Sequence, residues 1–191
     1  MEKIIHTEKY VKIFIPIPDD YDYKDREVLK TKELLNGTFA LVFFELAKNK
    51  VKLLKFYTAN GLYPHIDFGV EFQTIFKKGL GKDLLCKAIR YLLRETEYTS
   101  ETTITLDASG VLSDTVLLLD KAVIEKYRND YAQELSKIKE ADRLKMIFKL
   151  YKHNKLVDYY KRYGFSVLYS LPLCTNMKTT LGKVLQHCSH V

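Results

Sequence analysis

The sequence predicts a mixed α/β (α+β) fold, and three observations carry that prediction. The first half breaks into short apolar or alternating runs separated by Pro, Gly and Asn signals. A segment of 3.6-residue periodicity then follows the glycine pair Gly79 and Gly81. Between Gly110 and Gly164 there is neither Gly nor Pro, which marks a largely helical block. The resulting order is β, α, β-β-β, α, β, helical block, β, β.

Residues 9–17 alternate loosely and stop at Pro16 and Pro18, as a strand does. Residues 19–36 are charged, with Val28, Leu29, Leu34 and Leu35 as the apolar set; they read as one or two short helices ending near Asn36-Gly37. Residues 38–47 form a strongly apolar strand, Asn49 and Lys50 a turn, and Val51 to Thr58 the hairpin partner. Asn60-Gly61 and Pro64 are breaks, and Ile66 to Phe72 is a further strand. From Lys82, the residues Leu84, Leu85, Ala88, Ile89, Leu92 and Leu93 share one helix face. In residues 102–109, Ile104, Leu106 and Ala108 face one way, and Thr103, Thr105, Asp107 and Ser109 the other. The helical block carries Ile124, Tyr127, Tyr131, Leu135 and Ile138 at 3/4 spacing, then Leu144, Phe148 and Tyr151, then Leu156, Tyr159, Tyr160 and Tyr163. The polar run Lys152-His153-Asn154-Lys155 predicts a break between helices. Gly164 predicts a helix C-cap, and Phe165 to Tyr169 and Cys174 to Leu181 the last strands. The tail beyond, with His187, Cys188 and His190, is expected to be unstructured or loosely packed and has no convincing metal-ligand spacing.

A chain of 191 residues with 47% hydrophobic and 29% charged residues buries a core without help from disulfides or metals, as a single domain spanning 1–191. The net charge of +7 suits an anionic ligand, a phosphorylated cofactor or a nucleic acid, without choosing between them. Cys86, Cys174 and Cys188 are widely spaced and odd in number, which argues against a disulfide framework and a four-ligand zinc site. Cys86 reads as a small buried hydrophobe. No apolar leader follows Met1, and the longest apolar run, Phe39 to Ala47, is interrupted by Glu45 and too short to span a bilayer. These features predict a soluble cytoplasmic protein of a reducing compartment, with no metal and no membrane partner.

Two stretches carry chemistry. In the first, a strand leads through Lys77-Lys78-Gly79-Leu80-Gly81-Lys82 into a helix. Glycines allow close backbone approach, and a helix N-terminus with flanking lysines attracts phosphate. It lacks the GxxxxGK pattern of a P-loop and the GxGxxG of a dinucleotide fold. In the second, a helix reaches Tyr160, then three residues and Gly164-Phe165. In this order, with a strand between them, the two stretches resemble the GNAT superfamily of acyl-CoA-dependent N-acetyltransferases. That family has Gln or Arg, two residues, then Gly-x-Gly or Gly-x-Ala after its fourth strand, and later a tyrosine, three residues and Gly-Phe. The resemblance spans roughly residues 9–181. Phe76 stands where the family has Gln or Arg, Leu156 where it has a small residue, and His153 or Asn154 only loosely match its helix-start Asn.

The resemblance implies a central, mostly antiparallel sheet whose fourth and fifth strands splay apart, with flanking helices and a helical insertion at about 111–152. It implies acetyl-CoA as cosubstrate in the wedge, with pantetheine along Gly69 to Phe72 and pyrophosphate held by Lys77, Lys78, Gly79, Leu80, Gly81 and Lys82. The amine acceptor would attack the thioester directly. A backbone N–H near Val70 to Phe72 would polarise the carbonyl. Glu71 is the first candidate for the base and Asp107 the second, with Tyr160 protonating the departing thiolate. His65 could line the acceptor pocket.

The insertion holds nine basic and seven acidic residues, an ordinary solvated mixture. Its apolar stripe is expected to pack on the same chain and border the acceptor site, with a homodimer left open. Two other functions compete: a non-catalytic GNAT-like module that binds CoA or a partner, and a basic nucleic-acid-binding protein. No recognised nucleic-acid motif supports the latter.

Overall fold

Strand pairing follows the apolar alternation. The computed structural model describes residues 3–16, 38–60, 70–72, 80–109 and 119–188. Among these, eight strands form one sheet: β1 (Lys3–His6), β2 (Tyr10–Pro16), β3 (Thr38–Ala47), β4 (Lys50–Asn60), β5 (Val70–Phe72), β6 (Thr103–Ala108), β7 (Ser166–Leu171) and β8 (Cys174–Thr180). The order is β1-β2-β3-β4-β6-β8-β7, with the short β5 added to β4. Every pairing is antiparallel except β4 with β6. The sheet is thus mixed and mostly antiparallel, as expected. β1 was not foreseen; its four residues are too few to show a period, and it exists by pairing with β2. The short helices expected over 19–36, the turn after Asn60, the strand start Ile66 to Gly69, and Lys77 to Gly79 lie outside the described residues.

Directly paired residues share a face of the sheet. One such row runs Val11, Phe44, Leu53, Leu106, Met177 across five strands, and each is at most 4% exposed. Helix α1 (Leu80–Glu95) lays Leu84, Leu85, Ala88, Ile89 and Leu92 into the same core. Its Asp83 in the first turn and Arg94 in the last complement the helix dipole. The opposite face is polar: Glu45, Lys52, Thr105 and Lys178 form the next row.

The helical block contains α2 (Lys121–Asp130), α3 (Ala132–Ser136) and α4 (Glu140–Lys161). Helix α4 runs unbroken through Lys152-His153-Asn154-Lys155, against expectation. The polar residues there serve the interior. Asn154 donates to the hydroxyls of Tyr127 (3.0 Å) and Tyr131 (3.1 Å), and His153 Nε2 meets Thr175 Oγ1 at 3.0 Å. The apolar stripe of this block is covered by the same chain: Tyr127 and Leu135 pack with Ile147 and Leu150 of α4 in a second core that reaches Leu173 in the β7–β8 turn. Helix α4 therefore belongs to both cores, its C-terminal half contributing Val157 and Tyr160 to the first.

Helix α4 ends in a Schellman motif. Phe165 N–H donates to Tyr160 C=O (3.3 Å) and Gly164 N–H to Lys161 C=O (3.0 Å), with Gly164 at φ 80°. The apolar contact that accompanies this motif is Phe165 against Tyr160, rings 5.6 Å apart.

Two cysteine expectations fail. Cys86 and Cys188 form a disulfide, and the tail is helix α5 (Leu181–Cys188), with Leu181, Val184 and Cys188 buried. The cysteines are 102 residues apart, so spacing carried no signal; the chain's return to α1 brings them together. The cysteine usage accordingly no longer points to a reducing compartment. Cys174 is free.

Two outcomes follow from this packing. Gly164→Ala puts a side chain into the left-handed region and should lower the unfolding free energy by about 1–2 kcal/mol, read from urea denaturation. His153 is buried with Nδ1 unpartnered, and burial holds its pKa below the ordinary value of 6.5. Its unfolded form takes up the proton first, so stability should be full above about pH 6.5 and decline below it, by at most about 1.4 kcal/mol per pH unit. His153→Gln should flatten that decline.

Candidate functional site

Parallel strands need a crossover, and α1 lies in the chain between β4 and β6. The two strands start level, Lys50 opposite Thr103, and stay paired only to Leu53 and Leu106. Beyond that point β6 continues with β8 as far as Ala108, while β4 runs on to Asn60 and meets β5 at Thr58 to Asn60. Over Leu54 to Tyr57, no ladder among the described residues engages the β6 side of β4. Among the described residues, β4 and β6 part there.

Asp107 stands at this opening, on the polar face. Asn176 Nδ2 donates to its Oδ1 at 2.6 Å, and Lys52 Nζ lies 3.0 Å from its Oδ2. Asn176 chiefly, then Lys52, holds the Asp107 carboxyl below the usual carboxylate range, and Asp107 in turn raises Lys52. Tyr169 is paired with Asn176 across β7 and β8 and adds to the field at Lys52. Leu54, partly exposed, follows Lys52 on β4. A carboxylate so held stays ionised at neutral pH; it attracts cations well and accepts protons poorly.

The other predicted residues are distributed as follows. Val70, Glu71 and Phe72 are β5, antiparallel to β4 and not paired with β6. Among the described residues, the strand that runs beside β6 is therefore β4 and not Val70–Phe72, which differs from the expected wedge. Hairpin-rich sequence gives no sign of which strand a crossover helix will reach. Leu80, Gly81 and Lys82 open α1, with Lys82 half-buried; Lys77, Lys78, Gly79, Phe76 and His65 lie outside the described residues. Tyr160 is 6% exposed in the main core, against Tyr159 and Phe165, and burial pushes its phenol well above the usual value.

Lys52, Asn176 and Tyr169 were missed by sequence reasoning. Alternation places Lys52 on the polar face of β4, but the diagonal contact to Asp107 depends on the β4–β6 register. Among the described residues, no cluster of three His, Cys, Asp or Glu side chains could hold a metal, and no helix is long and apolar enough to cross a membrane. On α2 and α4 the charges pair locally, as in Lys126–Asp130, Arg128–Glu125 and Lys161–Asp158, which leaves no clean basic stripe there.

No family model, curated protein or solved structure matches the chain.

The electrostatics predict an ordering. In an NMR titration of its carboxyl carbon, Asp107 should titrate below the model-peptide value of about 3.9. Asn176→Ala should move it upward more than Lys52→Met, because Asn176 is the larger cause.

Proposed function

We propose that the chain is an acyl-CoA-dependent N-acetyltransferase of the GNAT type, acting on a primary amine. The observation that carries this reading is the parallel β4–β6 seam, which parts after Leu53 and Leu106 and is crossed over by α1. The order of elements and the Tyr160…Gly164-Phe165 terminus of α4 support it.

The residues present are compatible with acyl-CoA. The edge of β4 over Leu54 to Tyr57, unpaired on this side among the described residues, offers backbone groups to an extended amide-bearing arm, a task expected of Gly69 to Phe72. The first turn of α1, with Leu80, Gly81 and Lys82, offers N–H groups and a charge to pyrophosphate, although Asp83 opposes it. When bound, the cosubstrate supplies the activated acetyl thioester. Asp107, kept ionised, draws the acceptor's ammonium to the opening. Glu71 on β5 is the base, taking the amine proton through water. Tyr160, kept protonated by burial, is the donor to the thiolate.

A second reading, a non-catalytic CoA-binding or interaction module, is favoured by one observation: Asp107 is the opposite of a base tuned toward neutral pH.

Melting the protein with acetyl-CoA, CoA or ATP tests both. A ligand at about 100 times its Kd should stabilise the fold by roughly 2.7 kcal/mol. A shift with acetyl-CoA and CoA but not ATP is expected. Glu71→Gln and Tyr160→Phe should then keep the shift and lose thiol release from acetyl-CoA in an amine screen. A shift without turnover in the unmodified chain would favour the module. No shift at millimolar CoA would overturn the acetyltransferase and the CoA-binding module, and would leave the interaction module.

A further inference from the structure

Among the described residues, the path of the sheet ends on β1 and on β7, and the two edges differ in kind. β1 has four residues and carries Lys3 and His6, the short, charged form that keeps an edge from pairing further. β7 has six residues, and of the eight described strands it is the one with no charged side chain. It pairs with β8 on one side, and no second described strand flanks it. Val167, Leu168, Tyr169 and Leu171 are between 42% and 58% exposed and belong to neither core. Directly paired residues share a face, so Val167, opposite Met177, and Tyr169, opposite Asn176, stand on different faces of the sheet. The edge is therefore apolar on both faces.

A strand added to this edge must itself be uncharged on both faces, because a charged side chain set beside Val167 or Tyr169 loses water and gains no partner. A second β7 meets that condition. A two-fold axis lays two β7 strands antiparallel, each presenting the same residues to the other. It also puts no charged β7 side chain at the axis, which matters for chains that carry +7 each.

We propose that the chain forms a homodimer in which β7 pairs with β7 of a second copy and joins the two sheets into one. Six residues a side fall well short of the roughly 20–30 of a standard interface, so the dimer is reversible and depends on concentration.

Sedimentation equilibrium of the full-length protein over a hundredfold range of concentration tests this. The average mass should climb from one chain toward two and stop there, since the pair uses both β7 edges. Leu168→Lys and Leu171→Lys each place a lysine on both sides of the axis. Each should raise the dissociation constant at least tenfold and leave the melting temperature of the dilute protein unchanged. Leu144→Lys, at a similarly exposed leucine of α4, should leave the dissociation constant within twofold. Amide exchange within residues 166–171 should slow as concentration rises, at the N–H groups that do not bond β8. A single-chain mass throughout would overturn the proposal and leave the edge to a different partner or to none. Growth beyond two chains would also overturn it, and so would a dimer that both β7 lysines leave intact. Mass and exchange are read on the unmodified chain, so they decide the matter even if a lysine variant does not fold.

Discussion

Four residue pairs, Lys50–Thr103 to Leu53–Leu106, join the meander β1–β4 to the β6–β8–β7 half of the sheet. A parallel ladder that short does not hold two half-sheets by its hydrogen bonds. What holds it is the apolar row that passes through it, from Val11 to Met177, and the face of α1 pressed against that row. Burying each large side chain of α1 contributes roughly 1.5–3 kcal/mol, several times the net worth of a single ladder bond. Helix packing secures the seam where it is paired, and among the described residues the two strands part beyond Leu53 and Leu106.

The pattern of a tyrosine, three residues and Gly-Phe has a sufficient physical cause in this chain. Gly164 is needed for a left-handed residue, Phe165 supplies the apolar contact, and Tyr160 is the residue it covers. Any helix that ends so and enters a strand gains from that triplet. A phenol used for chemistry and a ring used to cap a helix make the same demand on the sequence, which is why the pattern alone does not separate them.

Much of the fold was legible because its signals are local. Gly164, the face of α1 and the alternation of residues 103–108 each predicted what the structure contains. The failures are non-local. His153 and Asn154 looked like a break in α4 because their partners, Thr175, Tyr127 and Tyr131, are brought to them by tertiary packing. The Cys86–Cys188 pairing depends on the chain's return to α1, and β1 on an edge offered by β2. At the site, Asp107 was legible as a polar residue on a strand. Its partners Lys52 and Asn176 come from strands that only the sheet order makes neighbours. Sequence reasoning therefore named a base where the folded environment has made a fixed anion.

The sheet order also sets the sequence in which the domain can assemble. The β3–β4 hairpin closes across two residues, with Asn49 in the left-handed region at φ 59° that asparagine tolerates. The β7–β8 hairpin is equally short, although Leu173 takes a φ of 64° there and is retained by its place in the second core. Both form from neighbours in the chain. The β4–β6 seam and the β6–β8 ladder join residues as distant as Lys50 and Thr103 or Thr103 and Thr180, and loop-closure entropy precedes any gain from them. Until they close, the edges of β4 and β8 stand open beside a β7 whose Val167, Leu168, Tyr169 and Leu171 are exposed even in the finished fold. Nascent chains are therefore most prone to mispair with one another in the interval between hairpin formation and seam closure, and slow synthesis or low concentration favours the monomeric product.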